Sequence, residues 1–388
     1  MIYLDNCSTT RPRKEVIETV NNCMLYDFGN PSSLHKLGLN AEKILNNARE
    51  NIASFLCCRD NEIYFTSGGT ESNNIVLQGA IKAKKRNGKH IITTKLEHPS
   101  VLNVIKTYEK EGYEVTYLSN DEYGRINISE LEESIREDTI LISIIHINNE
   151  IGTVQDIKRI SKIIKTKNPN IHFHVDGVQS FGKLNISVKD LGMDSFSFSA
   201  HKIHGPKGIG GLYLREKSRI EPIIFGGNQE KSLRSGTENI PAIAGFSKAV
   251  DITRTNLSKE QAEVESIKTK FADYFLKNIS DVKINSPLDE TGSSYILSVS
   301  FKDVRGEVLL HMLEDEDIYI STGSACSSKS NKKSHVLKAI GLNDNFIEGT
   351  IRLCFSYENI YDDIDFALEK INKFVKDIRK ITRRWEIG

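Results

Sequence analysis

No charge of one sign dominates this chain of 388 residues, in which 52 Lys and Arg stand against 52 Asp and Glu. A protein-wide field that would gather nucleic acid or an anionic membrane is therefore missing. No apolar run is long enough to cross a bilayer. The longest, around Ile140 to Ile147, falls far short of the roughly 20 residues that a spanning helix needs. The opening MIYLDNCSTT has neither a basic segment nor an apolar core, so it does not read as a signal peptide. The six cysteines, at 7, 23, 57, 58, 326 and 354, include no C-x-x-C pair, which removes the strongest zinc and thiol-redox signatures. Cys57 and Cys58 are adjacent, a poor geometry for an ordinary disulfide, and read as a helix end without chemistry. There is no internal repeat and no low-complexity segment. These absences leave the expectation of a soluble cytoplasmic protein with reduced thiols, long enough for two domains.

What is present alternates. Lys14 to Tyr26 and Leu39 to Phe55 have helical periodicity. Glu62 to Thr66, His90 to Thr94, Glu114 to Leu118, Ile140 to Ile147, His172 to Val175 and Ser195 to Ser199 read as strands. Helical stretches at Glu71 to Lys85, Val101 to Glu111 and Ile157 to Lys167 lie between them. Such alternation predicts an α/β fold with a largely parallel sheet covered by helices. After about residue 250 the order changes. A long charged helix, Ser258 to Asn278, precedes a strand at Tyr295 to Phe301, a helix near Glu307 to Glu314 and a last helix from Tyr361. That pattern predicts a smaller α/β domain. Basic clusters at Lys82 to Arg86, Lys158 to Lys167 and Arg379 to Arg384 read as solvated helix faces, so no direct nucleic-acid binding is expected.

Three segments carry groups suited to chemistry. TSGGTESNN (66–74) follows a strand and opens a helix. It reads either as a glycine turn with a cap or as an anion cradle, in which Gly69 lets the backbone approach and Thr70 adds a hydroxyl. HFHVD (172–176) places three polar side chains on one strand face. That is compatible with a metal site, but no further ligand cluster follows at metal spacing. The other reading puts Asp176 at the strand end where open α/β sheets bind ligands. SAHKIHGPKG (199–208) follows the buried run Phe196-Ser-Phe198. A lysine there can be desolvated, which frees its amine for a Schiff base. Lys202 directly follows the strand, whereas Lys207 sits in a Pro-Gly turn. A phosphate cradle, a carboxylate and a Schiff-base lysine in this order match what pyridoxal phosphate needs.

With these segments in place, the chain resembles the NifS/IscS-type cysteine desulfurases, within the class V group of pyridoxal phosphate enzymes. The landmarks are FGNPSS (28–33), TSGGTESNN, EHPSVL (97–102), NNEIG (148–152), HVDGVQS (174–180), SAHKIHGPKG, LRSGTEN (233–239) and GSAC (323–326). The resemblance implies fold type I, with a mostly parallel seven-stranded sheet in a large domain of residues 12–256. Residues 1–11 and 257–388 would form the small domain, carrying a mobile cysteine loop at about 321–334. It implies that Lys202 holds the cofactor, and that His98 stacks on its ring and acts in acid–base steps. Asp176 would pair with the ring nitrogen. Gln179 and Asn149 would contact the ring oxygen or the substrate. Gly69, Thr70, Ser199 and His201 would bind the phosphate, with Thr237 reaching the phosphate of a neighbouring subunit in a homodimer. Arg352 with Asn30 would grip the substrate carboxylate.

The same resemblance makes Cys326, set in STGSACSSKS, the nucleophile. It would take sulfur from L-cysteine as a persulfide and pass it to a protein acceptor, an iron–sulfur scaffold or a tRNA-thiolation enzyme. Lys329, Lys332 and Lys333 follow closely and would raise the thiolate fraction weakly. Cys354 stands where a serine is usual. Selenocysteine lyase activity is the nearest rival. An aminotransferase on the same fold would not need Cys326, and a catalytically retired scaffold would not need the full set of site residues.

Overall fold

The structure is a computed structural model that describes residues 1–322, 333–359 and 361–386. Seven strands form the larger sheet. Their order is β2 (Ile63–Thr66), β8 (Gly210–Leu214), β7 (Ser195–Ser199), β6 (His172–Asp176), β5 (Thr139–Ile145), β3 (His90–Thr94) and β4 (Glu114–Leu118). β8 runs antiparallel to both of its neighbours, and the remaining pairings are parallel. Strands β5 to β8 are buried at every residue, so the sheet needs helices on both faces.

The strand pleat sorts the apolar residues between those faces. Ile91 packs with α3 (Gly69–Lys84) and α4 (Pro99–Lys110). Its neighbour Ile92 joins the opposite core, with α1 (Lys14–Tyr26), α2 (Lys36–Phe55), α5 (Ile128–Ser134), α6 (Ile157–Lys167) and α7 (Val188–Leu191). Phe181 is fully buried in that core, stacked on Phe198 at 4.6 Å and edge-on to Phe246 at 5.9 Å.

A second core surrounds an antiparallel sheet in the order β12 (Ser321–Thr322), β13 (Thr350–Cys354), β10 (Ile296–Phe301) and β9 (Val282–Ile284). α9 (Gly306–Glu314) and α12 (Tyr361–Glu386) pack on it. The N-terminal arm belongs to this core. β1 (Ile2–Tyr3) pairs in parallel with β11 (Ile318–Tyr319), and Ile2, Leu4 and Cys7 are buried there. Two short helices, α10 (His335–Ala339) and α11 (Asp344–Glu348), close a seam against Leu96 and Ile151 of the large sheet's loops.

One element departs clearly from its sequence pattern. α8 spans Ile240–Asn278, starting well before the charged stretch at Ser258. Pro241 and Gly245 lie in that earlier part. Proline is tolerated in the first turn, and the Asn239 side chain caps it by accepting the Ala242 N–H. Gly245 is required by packing, since a Cβ there would lie 2.5 Å from Val20 of α1. The first half of α8 fills the large-sheet core and the second half fills the small one.

The segment that follows β8 is pinned from below. Glu230, Lys231 and Ser232 all take left-handed backbone conformations, with φ of 44°, 55° and 63°. Each such residue costs about 1–3 kcal/mol. Arg49 of α2 offsets this by gripping Glu230 through both terminal nitrogens, at 2.9 and 2.7 Å, while Glu230 also accepts the Phe65 N–H at 2.8 Å. Arg49→Met should lower stability by about 3–5 kcal/mol, because it strands a buried carboxylate. The double variant Arg49→Met/Glu230→Leu should recover most of that loss in urea-denaturation midpoints. A double variant as unstable as the single one would show that the ion pair is not the source.

Candidate active site

All the large-sheet groups of the site leave the C-terminal ends of parallel strands, where an open α/β sheet places its ligands. β2 leads into Ser67–Thr70, β5 into Asn148–Asn149, β6 ends on Asp176, and β7 runs into Ser199, His201 and Lys202.

The first end of the site is an anion cradle. A cavity of about 400 Å³ is lined by Ser8, Thr9, Ser67, Gly68, Gly69, Thr70, Ser199, His201 and Lys207. The N–H groups of the first turn of α3 have no helical partner and point a positive dipole end into it. Gly69 cannot carry a side chain, because its Cβ would lie 2.3 Å from Val178. Glu71 does not spoil the cradle, since its carboxylate is taken by Arg234 at 2.8 Å and by the Ser67 N–H. Burial pushes the His201 imidazole down to about 4, with the Lys202 charge acting the same way, so the ring is a neutral partner. Its Nδ1 lies 3.2 Å from the Thr9 hydroxyl.

The middle of the site is built on the N-terminal arm. The Lys202 Nζ donates to the carbonyls of Cys7 and Ser8, at 2.5 and 2.8 Å. Burial lowers its pKa to about 8, helped by the positive charges of Lys183 and Arg352. Gln179 donates to the same Cys7 carbonyl at 3.0 Å and accepts from Lys183 at 2.8 Å. Arg352 of β13 reaches the arm from the other side. It bonds Asp5 at 2.9 Å, the Ser8 hydroxyl at 2.8 Å and the Asn149 carbonyl at 2.8 Å. Its buried Nε finds no acceptor among the described residues.

At the far end Asp176, 2% exposed, accepts the Asn73 amide at 2.8 Å and the Val178 N–H at 3.1 Å. His98 caps α4, with its Nδ1 accepting the Ser100 N–H at 3.1 Å. Burial lowers the His98 pKa, against the pull of Asp176. Burial pushes two carboxyls nearby upward: Glu97 rises to about 8, and Glu150, which accepts from Ser334, to about 7.

Lys202, His98, Asp176, Gln179, Asn149, Arg352, Gly69, Thr70, Ser199 and His201 thus border one region. Thr237 is exposed and lines a separate small cavity behind the cradle. Asn30 is also exposed. Its side chain accepts the Ser32 N–H at 2.9 Å, and no hydrogen bond joins it to Arg352. Cys326 and the loop expectation at 323–332 lie outside the described residues. Lys333 is not a free charge for Cys326, because Asp344 and Glu348 hold it at 3.1 Å each. His172 and His174 are not arranged as ligands: both rings bond the Ser195 hydroxyl, and no cluster suited to a metal exists among the described residues.

Sequence reading missed a thiol pair. Cys7 and Cys354 are both buried and free, and their side chains hydrogen-bond each other beside Lys202 and Arg352. Burial opposes ionisation of both, but the Cys354 contact and the Lys183, Arg352 and Lys202 charges make Cys7 the more acidic of the two. The only signal was the cysteine at 354 in place of serine. It also missed Lys183, Glu97, Asn73 and Ser100.

The residues present fit pyridoxal phosphate. The glycine cradle admits a phosphate where a Cβ would not fit, the Lys202 amine is desolvated, and Asp176 offers a buried carboxylate to a ring nitrogen. The orphaned Arg352 Nε suits a substrate carboxylate. Comparisons with known proteins agree. The class-V aminotransferase family model matches residues 2–366. A cysteine desulfurase IscS of Dictyoglomus turgidum is 42% identical over 394 residues, covering 100% of this chain and 98% of the relative. A NifS/IcsS protein homolog of Lactobacillus delbrueckii subsp. bulgaricus is 44% identical over the full length of both chains. A solved NifS-like protein superposes with a TM-score of 0.91 at 37% identity, over 97% of this chain and 99% of its own. SspA, solved in complex with cysteine, gives 0.81 at 35% identity, over 93% and 100%. The chain belongs to the class V aminotransferase family and, within it, to the cysteine desulfurases of the IscS/NifS type.

Proposed function

We propose that this enzyme removes sulfur from L-cysteine, releases L-alanine and loads the sulfur on Cys326 as a persulfide. The observation that carries this reading is the Lys202–Asp176–Arg352 constellation in a chain alike over its full length to cysteine desulfurases. Pyridoxal 5′-phosphate, on which this family depends, supplies an electron sink that draws charge from the bonds around the substrate's α-carbon. Lys202 would hold the cofactor through Nζ. With a pKa near 8 that amine also gives and takes protons at neutral pH. Asp176 would face the ring nitrogen, and His98 the ring face. Gly69, Thr70, Ser199 and His201 would hold the phosphate. Gln179 and Asn149 would border the ring oxygen and the substrate. Arg352 would take the substrate carboxylate, with Asn30 brought in from its exposed loop.

The sulfur step balances within the chain's own chemistry. The Cys326 thiolate attacks the substrate sulfur, an S–S bond forms, and the Cβ–S bond breaks. Cysteine plus a thiol becomes alanine plus a persulfide, with no outside oxidant. The persulfide then passes to a protein acceptor, an iron–sulfur scaffold or a tRNA-thiolation enzyme.

On this reading residues 12–256 hold the cofactor, and residues 1–11 with 257–388 carry the cysteine loop. The enzyme acts as a homodimer. Met24, Leu25, Tyr26, Phe28 and Leu34 form an exposed apolar stretch beside the Asn30 loop, which supports a partner subunit there. Thr237, exposed on the segment that Glu230 anchors, would reach that partner's phosphate. Among the described residues no helix is long and apolar enough to cross a membrane.

Two measurements test this. Wild type should form alanine and sulfide from L-cysteine with dithiothreitol, while Cys326→Ala should keep the cofactor's visible band and form no sulfide. Equal turnover by both would remove Cys326 as the sulfur carrier. Cofactor-free protein should take up pyridoxal phosphate at a rate that rises with pH around a midpoint near 8, since only the neutral amine reacts. Lys202→Ala should not retain the cofactor through gel filtration. Retention equal to wild type would place the covalent link elsewhere.

A further inference from the structure

Asp176 and His98 are tied to one amide. The Asn73 Nδ2 lies 2.8 Å from the Asp176 carboxylate and 2.8 Å from the Ser100 hydroxyl. A carboxylate only accepts, so the amide NH₂ must face it. The Asn73 Oδ1 then faces the His174 Nε2 at 3.0 Å, and that nitrogen must carry a proton. The His174 Nδ1 accepts from the Ser195 hydroxyl at 2.9 Å, and Ser195 in turn accepts from the His172 Nε2 at 2.8 Å. Every proton in this buried row is assigned. Burial keeps both imidazoles neutral, His172 at about 4 and His174 well below its ordinary value.

The row ends at His98. The Ser100 oxygen, having accepted from Asn73, donates its proton to the His98 Nδ1 at 2.7 Å. The Ser100 backbone N–H donates to the same nitrogen at 3.1 Å. A ring nitrogen that accepts twice has no room for a proton, so neutral His98 carries its proton on Nε2. The charged and titratable groups that face the ring are Asp176 from β6, Lys202 after β7 and His335 from α10.

We propose that Asn73, held by Asp176 on one side and His174 on the other, is a positioning residue that locks His98 in the Nε2–H form through the Ser100 hydroxyl. His98 then meets the reacting atoms as a neutral ring that presents its Nε2 proton to them. The shared amide links the state of His98 to that of Asp176. This gives the H-x-H-x-D motif a role that needs no metal. The inference deepens the proposed function by naming the form in which His98 works, and it rests on that reading only for the identity of the reacting atoms.

Ring-¹⁵N-histidine NMR of the holoenzyme, with His98 assigned through His98→Gln, reads the tautomer directly. Wild type should show a bare Nδ1 and a protonated Nε2 across the neutral range. His174→Leu removes the donor that holds the Asn73 Oδ1, leaves the amide to Asp176 alone and loosens its hold on the Ser100 hydroxyl that donates to His98. The His98 midpoint should then rise by about one pH unit, with the acid limb of kcat/KM following it. His174→Gln, which again offers an N–H to Asn73, should restore both. Ser100→Ala removes one of the two donors without touching the sheet and decides the matter if His174→Leu does not fold. It should move the His98 midpoint in the same direction by at least as much, since it deletes the donating hydroxyl itself. A proton on the His98 Nδ1 in wild type would overturn the proposal, and so would an unmoved midpoint in Ser100→Ala. The NMR readout does not depend on L-cysteine being the substrate, so its failure and the failure of the desulfurase reading are distinguishable.

Discussion

The N-terminal arm is the constraint on which the site depends. Between Asp5 and Thr10 it offers two carbonyls to Lys202, a carboxylate and a hydroxyl to Arg352, and a hydroxyl that donates to the His201 carbonyl. Lys202 comes from the large sheet and Arg352 from the small one, so the arm stitches the two cores together at the point where chemistry occurs. The arm is itself held by the small core, through β1 and through the Cys354 N–H on the Leu4 carbonyl at 2.7 Å. A shift of the small core would therefore move both the amine and the guanidinium.

Gathering Lys183, Lys202 and Arg352 in a buried space is expensive unless their charge is answered. The chain answers part of it, with Asp5, with backbone and amide dipoles, and with the Cys7 thiol that these cations acidify. On the proposed reading the rest is matched by what the site takes up, since a phosphate at the α3 terminus and a carboxylate at Arg352 would both bring negative charge to an electropositive hollow. Groups that burial discourages from charging fill the surroundings, with the Glu97 and Glu150 carboxyls pushed up and the His146 and His201 rings pushed down. The field at the centre is then set by a few charges rather than blurred by many.

Much of this was legible in the sequence, because each motif sits where a strand ends. TSGGTESNN, HVDGVQS and SAHKIHGPKG each report a local event, a cradle, a carboxylate or an amine, within ten residues. What local pattern cannot show is a meeting between distant segments. Asn73, Ser100 and His174 form one row although they come from α3, α4 and β6. Cys7 and Cys354 touch from opposite ends of the chain. The start of α8 was hidden for a different reason. Its Pro241 and Gly245 weaken helix propensity locally, and tertiary packing against α1 overrides them.

The H-x-H-x-D strand shows how one pattern can satisfy two readings at sequence level and only one in space. A metal site needs ring nitrogens that converge on a point and carry no protons there. In β6 the two imidazoles instead spend their nitrogens on Ser195 and Asn73, and burial keeps them from charging. A row of neutral donors and acceptors has a property that a pair of charges lacks: each hydrogen bond fixes the direction of the next. Orientation set at Asp176, which ends the fully buried β6, is thereby carried through Asn73 and Ser100 to His98 at the edge of the site. The rigidity of the central strands becomes the definition of a single proton.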